Sequence, residues 1–228
     1  MPPECAIASF PACGEVQELQ LRRAKRSKKP RGAGRPRSFA ADLAILRAAL
    51  ELFVEHGVDG ASIEQIAIRA KVARTTVYRR WLSKEVLIAE AIAAARGEPE
   101  QAATSRVAVR DLPRRLVDAL AETLATPNYR KLAARLIGSV PSSPQLMAVY
   151  WHKYQVPRRE RIGKVLERAR SEGLIREDSD SEMLLDLIGG AMIYHLLVRP
   201  GEPTVRETRG YLFKVLRQLG LSDRMKSG

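Results

Sequence analysis

Apolar residues recur at helical spacing along most of this chain. Ile45, Ala48, Ala49, Leu52 and Phe53 share one face of a helix expected from about Ala40 to His56. Gly57 supplies a left-handed stop. Ser62, with Gln65 three residues on, makes a capping box for a second helix that points Ile63, Ile66, Ala67 and Ala70 inward. A turn at Lys71-Val72-Ala73 leads into a third helix, Arg74 to Trp81, buried through Val77 and Trp81. Ser83 caps a fourth, to about Ala95. After a loop over roughly 96–109, Asp111 and Pro113 open a helix with Leu116, Leu120 and Leu124 inward, and a shorter one runs from Asn128 to about Val140. Ser143-Pro144 starts a long segment to Glu172, bent at Pro157 and ended by Gly173. Ser179 with Glu182 caps an apolar helix over 180–198, which Pro200-Gly201 breaks. Thr204 with Glu207 caps the last helix, lined by Val205, Leu212, Val215, Leu216 and Leu219. Period-two alternation is scarce, so the fold class is all-α.

A chain of 228 residues with 45% hydrophobic content buries a core without staples. Its two cysteines, Cys5 and Cys13, fit neither a metal motif nor a disulfide framework, which points to a reducing cytoplasm and no metal. Glu4, Glu15 and Glu18 interrupt the first twenty residues, unlike a signal peptide. The stretch Met183–Val198 is short for a bilayer and carries Asp186 and His195, so it reads as a buried helix and no membrane partner is expected.

A net charge of +13 calls for a polyanion, and its distribution says where. Residues 1–37 hold nine basic and three acidic groups without apolar periodicity. They read as a disordered basic tail, either simply solvated or used as a DNA-binding arm. In the second case Arg35 and Arg37 stand where an arm can enter a minor groove. Residues 38–95 balance at seven against seven, so placement matters there. From Lys71 to Lys84 there are five basic residues and no acid. Thr75, Thr76, Tyr78, Arg79 and Arg80 fall on the outer side of the third helix, as in a helix-turn-helix that grips double-stranded DNA.

The order GRPR, ILRAALELFVEHG, SIEQIA, TTVYRRW, SKEVL resembles the N-terminal domain of TetR/AcrR transcriptional regulators over roughly residues 34–92. Tyr78 and Trp81 stand at that family's aromatic spacing. The resemblance implies a three-helix DNA-binding domain over 38–95, then a helical-bundle ligand-binding and dimerisation domain over 96–228. It places Thr76, Tyr78 and Lys84 where family members contact phosphates or bases, and Ser62 where the second helix approaches the backbone. Arg74, Thr75, Arg79 and Arg80 occupy the variable positions around the base-reading surface. It also implies a homodimeric repressor, released from a palindromic operator by a small-molecule effector, with no cofactor. Three positions depart from the pattern: Lys71 replaces the usual turn Gly, Ala73 the usual Ser cap, and Glu64 puts an acid early on the second helix.

In the C-terminal half, the apolar helix and the last helix are expected to form the dimer seam through Leu184, Ile188, Ala191, Leu212, Val215, Leu216 and Leu219. Met147, Tyr150, Trp151 and Tyr154 are either pocket-lining residues or ordinary packing at helical spacing. His195 is either a core or interface histidine or a ligand contact. Two rival functions stand beside the regulator. A non-specific nucleoid-type protein would use only the basic charge. An enzyme would need a catalytic constellation, and Gly32-Ala33-Gly34 lacks the Gly-Lys-Ser/Thr ending of a phosphate loop.

Overall fold

The computed structural model describes residues 39–96 and 112–221, so Arg35, Arg37, Asp111 and the rest of the basic segment lie outside the described residues. The elements are α1 (Phe39–Gly60), α2 (Ile63–Arg69), α3 (Arg74–Tyr78), α4 (Lys84–Arg96), α5 (Leu112–Leu124), α6 (Pro127–Gly138), α7 (Pro144–Tyr150), α8 (Val156–Ser171), α9 (Ser181–Ile193) and α10 (Val205–Gln218). A π-helical turn, Trp151–Gln155, precedes α8, and another, Tyr194–Val198, follows α9. No strand occurs among the described residues, as an all-α class requires. The chain forms two compact units. One joins 39–96 with 135–154 and the other joins 112–134 with 155–221.

In the first unit α1 packs on α2 and α4, and α4 packs on α7. Ile45, Phe53, Ile66, Val77, Leu87, Ile88, Ile92 and Leu146 are sealed from solvent. The helix α1 does not end at Gly57 but breaks there, at φ 75° and ψ −169°, a region open to glycine almost alone. The break strips nearby carbonyls of their helical donors. Arg135 supplies replacements, its Nε donating to Val54 O and its Nη2 to Glu55 O, both at 3.1 Å. Lys84 Nζ donates to Val58 O at 3.2 Å.

Capping follows the sequence with some shifts. Ser62 Oγ accepts from Gln65 N–H at 3.2 Å, and Ser83 Oγ from Val86 N–H at 3.3 Å. The cap of α9 is Asp180 rather than Ser179: its carboxylate accepts from Glu182 and Met183 N–H at 2.8 and 3.1 Å. Thr204 and Glu207 complete a reciprocal capping box, and the Thr204 backbone N–H holds the Glu207 carboxyl below its ordinary pKa. Before Pro157 the chain widens into the π-helical turn. Proline has no N–H to return to the carbonyl four residues back, and its ring crowds that carbonyl.

The second unit has two cores. Val117, Ala121 and Leu124 of α5 meet Tyr129, Met192, Leu196, Leu212 and Leu216 in one; Ala169, Ile175 and Leu184 form the other. The segment Ser181–Val198 is long and apolar enough to cross a membrane by length and composition alone. Against expectation it is buried on one side only. Leu184, Met192, His195 and Leu196 face inward, while Met183, Leu187, Ile193, Tyr194 and Val198 are about half exposed.

Several residues of the expected dimer seam lie in the cores of this unit. Leu184 belongs to one intrasubunit core, Leu212 and Leu216 to the other, and Ile188 and Leu219 pack against these cores from the side. Ala191 and Val215 are half-buried. The open stripe of α9 and the turn after it is Met183, Leu187, Gly190 and Tyr194, spaced four, three and four residues apart.

Candidate nucleic-acid interface

The α2–turn–α3 unit rests on its inward residues. Ile63, Ile66 and Ala67 bury α2, and Val77 and Trp81 anchor the next segment. Lys71 makes the turn at φ 55°, the left-handed conformation for which glycine is the usual choice. Ala73 starts α3 without a side-chain cap. The helix is shorter than its sequence suggests. It stops at Tyr78, where Arg80 and Trp81 N–H both turn back to Val77 O at 2.9 and 3.0 Å. This tightening drops Trp81 into the core, where its indole N–H donates to Glu90 at 3.0 Å.

The outer face carries Arg74, Thr75, Tyr78 and Arg79, all exposed, with Thr76 half-buried beside them. Tyr78 is 49% exposed, so its hydroxyl can reach a ligand. Arg74 Nη2 donates to that hydroxyl at 3.2 Å, and its guanidinium lies 5.4 Å over the ring. The hydrogen bond to Tyr78 is the main reason its pKa rises, with the nearby Glu64 charge adding to it. Ser62 is half-buried at the start of α2. Lys84, half-buried, spends one of its three ammonium N–H groups on Val58 O.

Arg80 is the correction here. Its side chain is only 7% exposed, and its Nε lies 2.6 Å from Asp42 of α1. Once α3 ends at Tyr78, Arg80 leaves the helical progression and turns inward to tie the reading unit to α1. Arg80→Ala is therefore expected to cost about 1–3 kcal/mol of stability, limited because Asp42 keeps some solvent. Arg79→Ala is expected to leave stability unchanged. Urea titration separates them; an Arg80→Ala chain of wild-type stability that fails only on DNA would return Arg80 to the reading face.

The expected ligand-lining residues divide between the units. Tyr150 is buried and accepts a hydrogen bond from Arg96, and its ring lies 6.4 Å from that of Tyr154. Burial, then the Glu90 charge, push the Tyr154 phenol well above its ordinary pKa. Met147 is half-buried and Trp151 is 45% exposed on the same segment. His195 belongs to the other unit. It stacks on Tyr211 at 4.2 Å, both its ring nitrogens are shut off without a partner, and burial, then the Arg199 charge, lower its pKa. The sequence reading had not singled out Asp42, Arg135 or Glu90. Only Glu90 left a signal, a lone acid inside the apolar run of α4.

A buried three-helix scaffold presenting a short, polar, partly basic helix after a tight turn is a helix-turn-helix DNA-binding head. The family model for bacterial regulatory proteins of the tetR family matches residues 45–91, and the one for the tetracyclin repressor-like C-terminal domain matches 109–212. The chain is 34% identical over 176 residues to YdeS, an HTH-type transcriptional regulator of Bacillus subtilis, covering 74% of this chain and 84% of that protein. It is 28% identical over 165 residues to an HTH-type transcriptional regulator of Mycobacterium tuberculosis, covering 72% and 79%. Among solved structures it resembles a TetR-family regulator from Mesorhizobium loti (TM-score 0.58, 20% identity, 81% and 98% covered). It also resembles the fatty acid degradation regulator FadR of Bacillus halodurans (TM-score 0.61, 18% identity, 83% and 99% covered). This chain belongs to the TetR family of bacterial transcriptional regulators. It is a sequence-specific DNA-binding regulator, not an enzyme. Regulators of this family bind operators as dimers, respond to small-molecule effectors and work in the cytoplasm.

Proposed function

We propose that this chain is a cytoplasmic homodimeric repressor whose two α3 helices read the halves of a palindromic operator and which a small, largely apolar effector releases. The polar outer face of α3, pinned from behind by Val77 and Trp81, carries the reading. Arg74, Thr75, Thr76, Tyr78 and Arg79 face the major groove, with Ser62 and Lys84 beside the phosphates. The effector binds the C-terminal helices, with Met147, Tyr150, Trp151 and Tyr154 as the candidates in one unit and His195 as a separate candidate in the other. It favours a dimer geometry in which the two α3 helices no longer match the half-site spacing.

Thr76→Ala and Tyr78→Phe are each expected to lower operator affinity roughly tenfold while leaving the helical circular dichroism intact. Mobility shifts on a palindrome selected by the wild-type chain decide this. Unchanged affinity in both variants would mean that α3 does not face the operator.

A further inference from the structure

We propose that Arg74 is the residue that fixes one base of the operator half-site, that this base is a guanine, and that Tyr78 acts as its positioning residue. The proposal rests on the DNA-reading role assigned to α3 and adds which base is read and by what.

Three other basic side chains around the turn are already occupied. Arg69 is tied to Glu55 at 2.7 Å, Arg80 to Asp42 at 2.6 Å, and Lys84 to the Val58 carbonyl. Each of these three is committed to the scaffold, whereas Lys71, Arg74 and Arg79 are exposed. Arg74 is exposed at the first residue of α3, the end of a recognition helix that meets base edges. It is also held: one N–H bonds the Tyr78 hydroxyl one helical turn on, and the guanidinium carbon lies 5.4 Å from the centre of the Tyr78 ring. A guanidinium has five N–H donors, so this bond leaves enough for a bidentate pair. Guanine offers the matching edge in the major groove, O6 beside N7, whereas adenine and cytosine each present a donor there.

A phosphate anchor needs different properties. It gains from full charge and tolerates a mobile side chain, as lysine shows. Arg74 has given up the second, because the Tyr78 hydroxyl and ring restrict its rotamers.

The test is in vitro selection of binding sites from a randomised duplex library by the full-length protein and its variants. The wild type is expected to enrich a palindrome with one half-site guanine preferred about tenfold or more over other bases. In Arg74→Ala that single preference falls to near unity while the rest of the motif persists. Tyr78→Phe, which keeps the ring and removes the hydroxyl that holds Arg74, is expected to narrow the guanine preference several-fold while the rest of the motif persists. An Arg74→Ala motif identical to wild type, with affinity lowered evenly on all sites, would make Arg74 a phosphate contact and overturn the proposal. So would a Tyr78→Phe chain with unaltered guanine discrimination. A wild-type selection with no motif at all would remove the operator reading itself, and this proposal with it.

Discussion

Leu187→Glu is expected to turn a dimer into a monomer that is still folded and to reduce operator affinity by roughly 10²–10⁴-fold, since two linked half-site contacts become one. Leu187 is 48% exposed in the single chain, between Met183 at 54% and Tyr194 at 51% on the same stripe of α9 and the turn after it. Three large apolar side chains in one row are more than a lone surface needs, and Gly190 between them lets a second backbone approach. A carboxylate placed there is solvated in the monomer and loses that solvation in the dimer, so the cost falls on association. Ile188→Glu, one residue away, provides the contrast. Ile188 packs against the inner core of its own unit, so that variant is expected to lose stability first. Light scattering and mobility shifts read the two outcomes. A Leu187→Glu dimer, or a wild-type monomer at micromolar concentration, would place the interface elsewhere.

The contrast between Leu187 and Ile188 also shows where sequence reading stops. Spacing was enough for the helical architecture and the head, because Ile45, Phe53, Ile66 and Val77 recur at intervals that permit one buried face. Spacing was not enough for α9, which is apolar around most of its circumference. Nothing in such a pattern says which side meets its own unit, so Leu184, Leu212 and Leu216 were as eligible for a seam as Met183 and Leu187. Arg80 failed for a different reason. Reading α3 through to Trp81 carried Arg80 round to the outer face, and the helix ends three residues earlier. Ser179 and Asp180 are equally good caps on paper; geometry chose the second. Arg135 could not be foreseen from any local window, since the carbonyls it satisfies lie some eighty positions earlier and are orphaned only because Gly57 breaks α1.

Removal of residues 1–37 is expected to weaken operator binding strongly and to flatten its dependence on salt, while the preferred operator stays the same. The segment lies outside the described residues and carries nine basic groups against three acidic ones, immediately before α1 in the sequence. Each phosphate neutralised releases condensed counterion, and the slope of log affinity against log salt changes by about 0.9 per contact. If half of the basic groups engage phosphates, the slope falls by about four and affinity at moderate salt by orders of magnitude. The head alone cannot supply that term, because residues 38–95 carry as many acids as bases. Its own cations are partly spent as well, Arg69 and Arg80 on carboxylates within the fold. Sequence preference is a separate matter. Contacts to phosphate carry no base information, so the motif enriched by the shortened chain should match that of the full chain, apart from any minor-groove base touched by Arg35 or Arg37. Affinity measured across a salt series for both chains tests the charge argument. An unchanged slope after removal would show that the basic segment never meets the DNA and that the net charge serves another purpose.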